Sequence, residues 1–157
     1  MTTTNKFIDQ ILSSHPTFSG VFNSTNILTA SFKSFPSYMV CNLSPEGSAG
    51  SHWIGIELLR KDVLYFDSLG GVCQSPNILK FMALQGYKTY RYLSSPIQSE
   101  FSNHCGYFVM AFFIARWAGM TSGDFTTSLS VRSGKNDVIV RTIVENFCKQ
   151  SVIVNYV

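Results

Sequence analysis

Hydrophobic and polar positions change their spacing several times along this chain. Phe7, Ile8, Ile11 and Leu12 recur at the three-to-four spacing of one helical face, so residues 5–13 predict a short amphipathic helix, with Pro16 and Gly20 bracketing its end. Residues 21–36 are rich in Phe, Ser, Thr and Asn without a firm period and predict no particular element. Ser37–Leu43 reads as a strand and runs into the turn-rich stretch Ser44-Pro-Glu-Gly-Ser-Ala-Gly50. His52–Leu59 and Val63–Asp67 are two strands joined across Arg60-Lys61-Asp62, a hairpin pattern. Pro76 suits the first turn of a helix over 76–85, and Lys88–Leu93 alternates like a further strand. Cys105–Trp117 is the most apolar helix, with Gly119 as its stop. A final amphipathic helix is expected over Asn136–Lys149, with Val138, Val140, Ile143, Val144 and Phe147 on its inner side. This mixture predicts an α+β fold, one domain over 1–157, with a central mixed sheet of about five strands and the Cys105 helix packed against it.

Composition narrows the class. At 157 residues the chain is the size of one core, large enough for a stable monomer. Hydrophobic residues at 45% against 13% charged exclude a disordered chain. The longest apolar run, Tyr107–Ala115, is about half of a bilayer crossing and reads as a buried helix, so no membrane partner is expected. Asp9 and Gln10 interrupt any N-terminal apolar run, no secretory signal is visible, and Cys41, Cys73, Cys105 and Cys148 are expected as reduced intracellular thiols. None of them forms a Cys-x-x-Cys pair and the histidines are not paired at helical spacing, so neither a metal site nor another cofactor is expected. The net charge of +3 is mild. The eight Lys/Arg of residues 79–157 are scattered, which reads as solvated surface before it reads as a nucleic-acid face.

Three local signals carry chemistry. His52 opens one strand of the hairpin and Asp67 closes the other, close enough for the carboxylate to hold one ring nitrogen and stabilise an imidazolium. The plain alternative is that Asp67 is ordinary turn chemistry ahead of Ser68-Leu-Gly-Gly71. Cys105 stands at a helix N-terminus, where the macrodipole favours a thiolate, and Gly106 allows close approach of another backbone. The same cysteine could be a small buried hydrophobe. Gln98, seven residues earlier, could complete an oxyanion hole with the Cys105 N–H, although a loop glutamine alone is usually polar surface. Trp53 is either core packing beside such a site or a wall of a substrate cleft. His104 adjoins Cys105, but neighbouring side chains at a helix start diverge, so it reads as a loop residue or groove wall.

Together these residues resemble the adenovirus endopeptidase family of cysteine proteases, distant relatives of the SUMO-specific proteases. Gly50-Ser51-His52-Trp53 is similar to the family's Gly-x-His-Trp strand start, and Tyr65-Phe-Asp-Ser-Leu-Gly70 to its aromatic, acid, then Gly strand end. Gln98 to Gly106 matches a Gln-x6-Cys-Gly spacing, followed by the hydrophobic helix. Phe18-Ser-Gly-Val-Phe22 and Val40-Cys-Asn42 are further similarities to the viral members, and the likeness runs from about residue 5 to 120. The resemblance implies a cysteine-protease fold with Cys105 as nucleophile, His52 as general base, Asp67 orienting His52, and Gln98 with the Cys105 N–H holding the oxyanion. It also implies polypeptide substrates, viral precursor proteins cut after Gly, and action inside the host cell (nucleus or virus factory) and in the virion. A peptide or DNA activator follows from the viral branch. Two departures stand out: the adenoviral enzyme has Glu where this chain has Asp67, and Gly86–Tyr92 lacks the cysteine through which the viral peptide is covalently attached. Other readings of the same residues are a protease of ubiquitin-like tails, a thiol acyltransferase, and an idle binding module.

Overall fold

The computed structural model describes residues 3–45 and 52–154. Gly50, Ser51 and most of the expected Gly-rich loop over 44–50 lie outside the described residues. Helix α1, Asn5–Leu12, starts where Thr4 Oγ1 accepts the Phe7 N–H at 3.2 Å, and it buries Ile8 and Leu12. Strand β1 (Phe18–Asn23) and a 3-10 turn at Asn26–Thr29 then occupy part of the stretch whose sequence shows no period. β2 (Ser37–Asn42), β3 (Trp53–Leu58) and β4 (Val63–Phe66) follow, with every residue buried. Helix α2, Pro76–Leu84, has Pro76 in its first turn and Ser75 as its side-chain cap. The strand expected over 88–93 contracts to β5, Arg91–Tyr92, both exposed at the sheet edge. Helix α3 spans Cys105–Trp117, and Gly119 follows it at φ 92°, the left-handed turn that ends a helix. Helices α4 (Ser122–Thr127) and α5 (Lys135–Val154) complete the chain.

The sheet is mixed, in the order β1-β2-β3-β4-β5. β1 runs parallel to β2, β2 and β4 are antiparallel to β3, and β5 is parallel to β4. Both faces are covered. Tyr38, Val40, Leu64 and Phe66 join one apolar cluster with α1, α3, α4 and α5, while Met39, Cys41, Ile54, Ile56 and Tyr65 join a second with α2. That double burial explains why the strands read as continuous apolar runs.

Helix α3 lies close on β3 because Gly55 has no side chain. A Cβ there would stand 3.0 Å from Phe113 and Val109, tight enough that these side chains would have to give way by a few tenths of an ångström. At the far end of α3 an ion pair fixes the same two elements. Arg116 donates through Nε to Glu57 at 2.7 Å and through Nη2 at 3.3 Å, and Glu57 is fully buried. Arg116 also donates to the Met120 carbonyl at 2.8 Å. On α5, Val140 and Val144 are buried as expected, but Val138 is 68% exposed. It sits about 200° around the helix from Val140, and Asn136, on the Val140 side, takes the inner position instead.

Arg116→Ala is expected to destabilise the fold by about 3 kcal/mol, because it leaves the buried Glu57 carboxylate without its counter-charge, with only the Tyr38 hydroxyl beside it. Glu57→Gln/Arg116→Met should recover much of that loss. Urea midpoints of the two variants check this, and an Arg116→Ala midpoint equal to the parent's would show that the pair does not secure α3.

Candidate active site

Three segments converge at one end of the sheet. His52 is the residue before β3, and its carbonyl accepts the Leu43 N–H at 2.9 Å, which fixes its backbone to the exit of β2. Asp67 is the residue after β4. The hairpin register pairs Gly55 with Phe66, so continuing it would set Asp67 opposite Ile54 and leave His52 two positions beyond. The two are therefore diagonal neighbours, and side-chain reach closes the gap: His52 Nε2 donates to Asp67 Oδ1 at 2.7 Å. The same oxygen accepts the Leu69 N–H at 2.9 Å.

Cys105 is the first residue of α3 and only 9% exposed. Its thiol is hydrogen-bonded by His52 and by the backbone of Trp53 and Gly106. With His52 Nε2 engaged by the carboxylate, Nδ1 is the nitrogen left for sulfur. Burial is the largest influence on both groups and disfavours charge on each. The hydrogen bonds and the mutual attraction outweigh it, however: the Cys105 pKa is lowered, and that of His52 is pushed up to about 9. The arrangement therefore favours thiolate and imidazolium as a pair.

Gln98 is buried, and what holds it is visible. Its Nε2 donates to the Ser102 carbonyl at 2.9 Å, and because a carbonyl can only accept, Oε1 must face the other way. There Ser68 Oγ donates to Oε1 at 2.5 Å. The Ser68 carbonyl accepts the N–H groups of both Ile97 and Gln98 at 2.9 Å. Ser68, fully buried and next to Asp67, thus ties the glutamine loop to the acid's turn. Sequence reasoning passed over it, since one serine in Ser-Leu-Gly-Gly looks like any turn residue; a polar residue directly behind a candidate acid was the available signal. The second Nε2 hydrogen of Gln98 has no acceptor among the described residues.

Trp53 is placed in the core cluster, and its indole N–H donates to the Thr3 carbonyl at 3.3 Å. Thr3 also stands against Gly106: a Cβ at that glycine would lie 2.3 Å from the threonine hydroxyl. His104 faces α5. Its Nε2 accepts from Arg141 at 2.8 Å and its Nδ1 lies 3.3 Å from Asp137 Oδ2, outside hydrogen-bond geometry. Among the described residues no group of histidines, cysteines and carboxylates is arranged to hold a metal ion, and no helix is long and apolar enough to cross a membrane. No protein-family model matches the chain, and no curated protein matches it.

The pair predicts a pH profile that can be read without any substrate. Alkylation of Cys105 by iodoacetamide should rise with a midpoint below the 9.0 of an unperturbed thiol. In His52→Ala the partner is gone and burial is opposed only by the backbone of Trp53 and Gly106, so the midpoint should move up from the parent's. An identical midpoint in both proteins would show that His52 does not stabilise the thiolate.

Proposed function

We propose that this chain is a cysteine endopeptidase of the adenovirus-endopeptidase type that cuts precursor proteins after Gly. The observation that carries the reading is the contact series Cys105–His52–Asp67, with one imidazole nitrogen on the acid and the other left for the thiol. The Cys105 thiolate attacks the scissile carbonyl carbon, and the carbonyl electrons move onto oxygen. The free Gln98 Nε2–H and the Cys105 backbone N–H receive that oxyanion. His52 then gives its proton to the departing amine, leaving a thioester on Cys105. A water that passes a proton back to His52 attacks the thioester, and the acid product and the thiolate leave. Because the ion pair favours a proton on His52 before substrate binds, His52 acts first as acid and only in the second half as base.

The resemblance to the viral family supports viral precursor proteins as substrates, with action inside the infected cell and in the virion. It also supports Gly before the cut bond. Trp53 adds little to that preference as a cleft wall, since Thr3 covers its indole, and its contribution to the site is its backbone bond to sulfur.

Two peptides that differ only by Gly or Leu before the scissile bond test the reading. The Gly peptide should be cut by the parent and by neither Cys105→Ala nor a Cys105-alkylated sample. Equal cutting of both peptides would overturn the Gly preference. Alkylation at Cys105 without hydrolysis of any peptide would favour an acyltransferase or an idle module.

Gln98→Ala should lower kcat by about 100-fold with little change in KM, because its bond to oxygen strengthens only in the transition state. A loss wholly in KM would remove Gln98 from the oxyanion hole. Steady-state kinetics on the Gly peptide decide between the two.

A further inference from the structure

The loop between Gln98 and Cys105 is held by a helix that the proposed chemistry does not use. Ser102 Oγ donates to Asp137 Oδ1 at 2.9 Å and accepts the His104 backbone N–H at 3.1 Å. His104 Nδ1 faces the other carboxylate oxygen at 3.3 Å. Arg141, one turn beyond Asp137 on α5, donates to His104 Nε2 at 2.8 Å. A guanidinium can only donate, so Nε2 is the acceptor and the ring proton sits on Nδ1, toward Asp137. One carboxylate oxygen thus accepts the Ser102 hydroxyl, while the other lies near His104 Nδ1 without a hydrogen bond. His104 also immediately precedes α3 as its N-cap residue, and it makes no side-chain cap there, which leaves its ring to α5. On the other side of Ser102, its carbonyl accepts the Gln98 amide.

We propose that Asp137 is a positioning residue for the oxyanion hole: through the Ser102 hydroxyl it sets the carbonyl that aims the Gln98 amide. The Gln98 Nε2–H then takes its place from a carboxylate in the first turn of α5. The catalytic consequence rests on the endopeptidase reading, whereas the hold on Gln98 does not. Asp137 reaches neither substrate nor sulfur in this scheme, and its influence travels through two hydrogen bonds. The arrangement also explains why a long helix whose remaining inner residues are mostly apolar carries a carboxylate and a guanidinium one turn apart on the side facing the nucleophile's loop.

The test reads the Gln98 side-chain amide directly, by nitrogen-15 NMR, with the resonance assigned by its loss in Gln98→Ala. In Asp137→Ala and in Ser102→Ala its solvent exchange should quicken by about tenfold or more, as the holding carbonyl loosens. Asp137→Asn keeps an oxygen for Ser102 and should restore the parent rate, a rescue that a merely structural role for α5 would not give. If Asp137→Ala does not fold, Ser102→Ala and Asp137→Asn carry the comparison. With the Gly peptide, Asp137→Ala should lose about tenfold in kcat at unchanged KM, and the Gln98→Ala/Asp137→Ala double variant should be no slower than Gln98→Ala. An unmoved amide in Asp137→Ala or Ser102→Ala, or losses that multiply in the double variant, would overturn the assignment. A parent protein that cuts no peptide would defeat the endopeptidase reading, while the amide measurement still decides the role of Asp137.

Discussion

The contact between Cys105 and His52 works against its own surroundings. Burial pushes the thiol toward its protonated form and the imidazole toward its neutral form, and burial is the largest single influence on each. The charged pair prevails only because each partner is held by other groups as well: the imidazole by Asp67, the sulfur by the backbone of Trp53 and Gly106. A charge withdrawn from water is stable only where hydrogen bonds replace the lost hydration. The charge state of the cysteine is therefore a property of three chain segments, and any movement between them weakens it.

Much of the fold is a device to prevent that movement. His52 and Cys105 sit at the same end of β3 and α3, and these two elements are clamped along their length. Gly55 lets α3 sink onto the strand, and Glu57 with Arg116 secures the other end. A buried ion pair is a weak source of net stability, but it has directional demands that apolar contacts lack. Sliding α3 by one residue along β3 would keep much of the apolar contact and break the bidentate pair. The register of helix on strand is thus fixed at a point far from the sulfur and felt at the sulfur.

What the sequence disclosed and what it hid follow from how local each signal is. Helix α3 was legible to the residue, because its apolar run, its opening Cys-Gly and its closing Gly119 are all local. The three central strands were legible from β-rich apolar runs, and His52, Asp67 and Cys105 come into contact where the hairpin and the helix start predicted. β1 was hidden because its residues are half-buried on an edge and give neither alternation nor a continuous apolar run. β5 was overextended because Lys88–Leu93 alternates well but only Arg91 and Tyr92 find partners on β4. Val138 was misplaced because counting apolar residues ignores that Asn136 can satisfy its amide inside, donating to the carbonyls of Ile97 at 2.8 Å and Ser130 at 2.6 Å. Ser68 and Asp137 were invisible for a deeper reason: their partners lie 30 and 35 positions away, and no local pattern encodes such a bond.

Asp67 shows that turn chemistry and site chemistry need not compete for one residue. Its Oδ1 accepts the Leu69 N–H, and its carbonyl accepts the Gly70 N–H at 2.9 Å, which together make the tight turn that ends β4. Gly70 adopts φ 77° in that turn, and a Cβ there would lie 3.0 Å from the backbone nitrogen of Pro96. The turn is consequently pressed against the segment that leads to Gln98. Aspartate is the right length for both duties: one carboxylate oxygen reaches the amide two residues ahead and the imidazole across the hairpin at the same time. A glutamate in this backbone would carry its carboxylate one carbon beyond the Leu69 amide, so keeping the imidazole would mean giving up the turn bond. The acid found here is therefore dictated by the tightness of the turn, and that same tightness brings Ser68 under Gln98 and joins the acid to the glutamine.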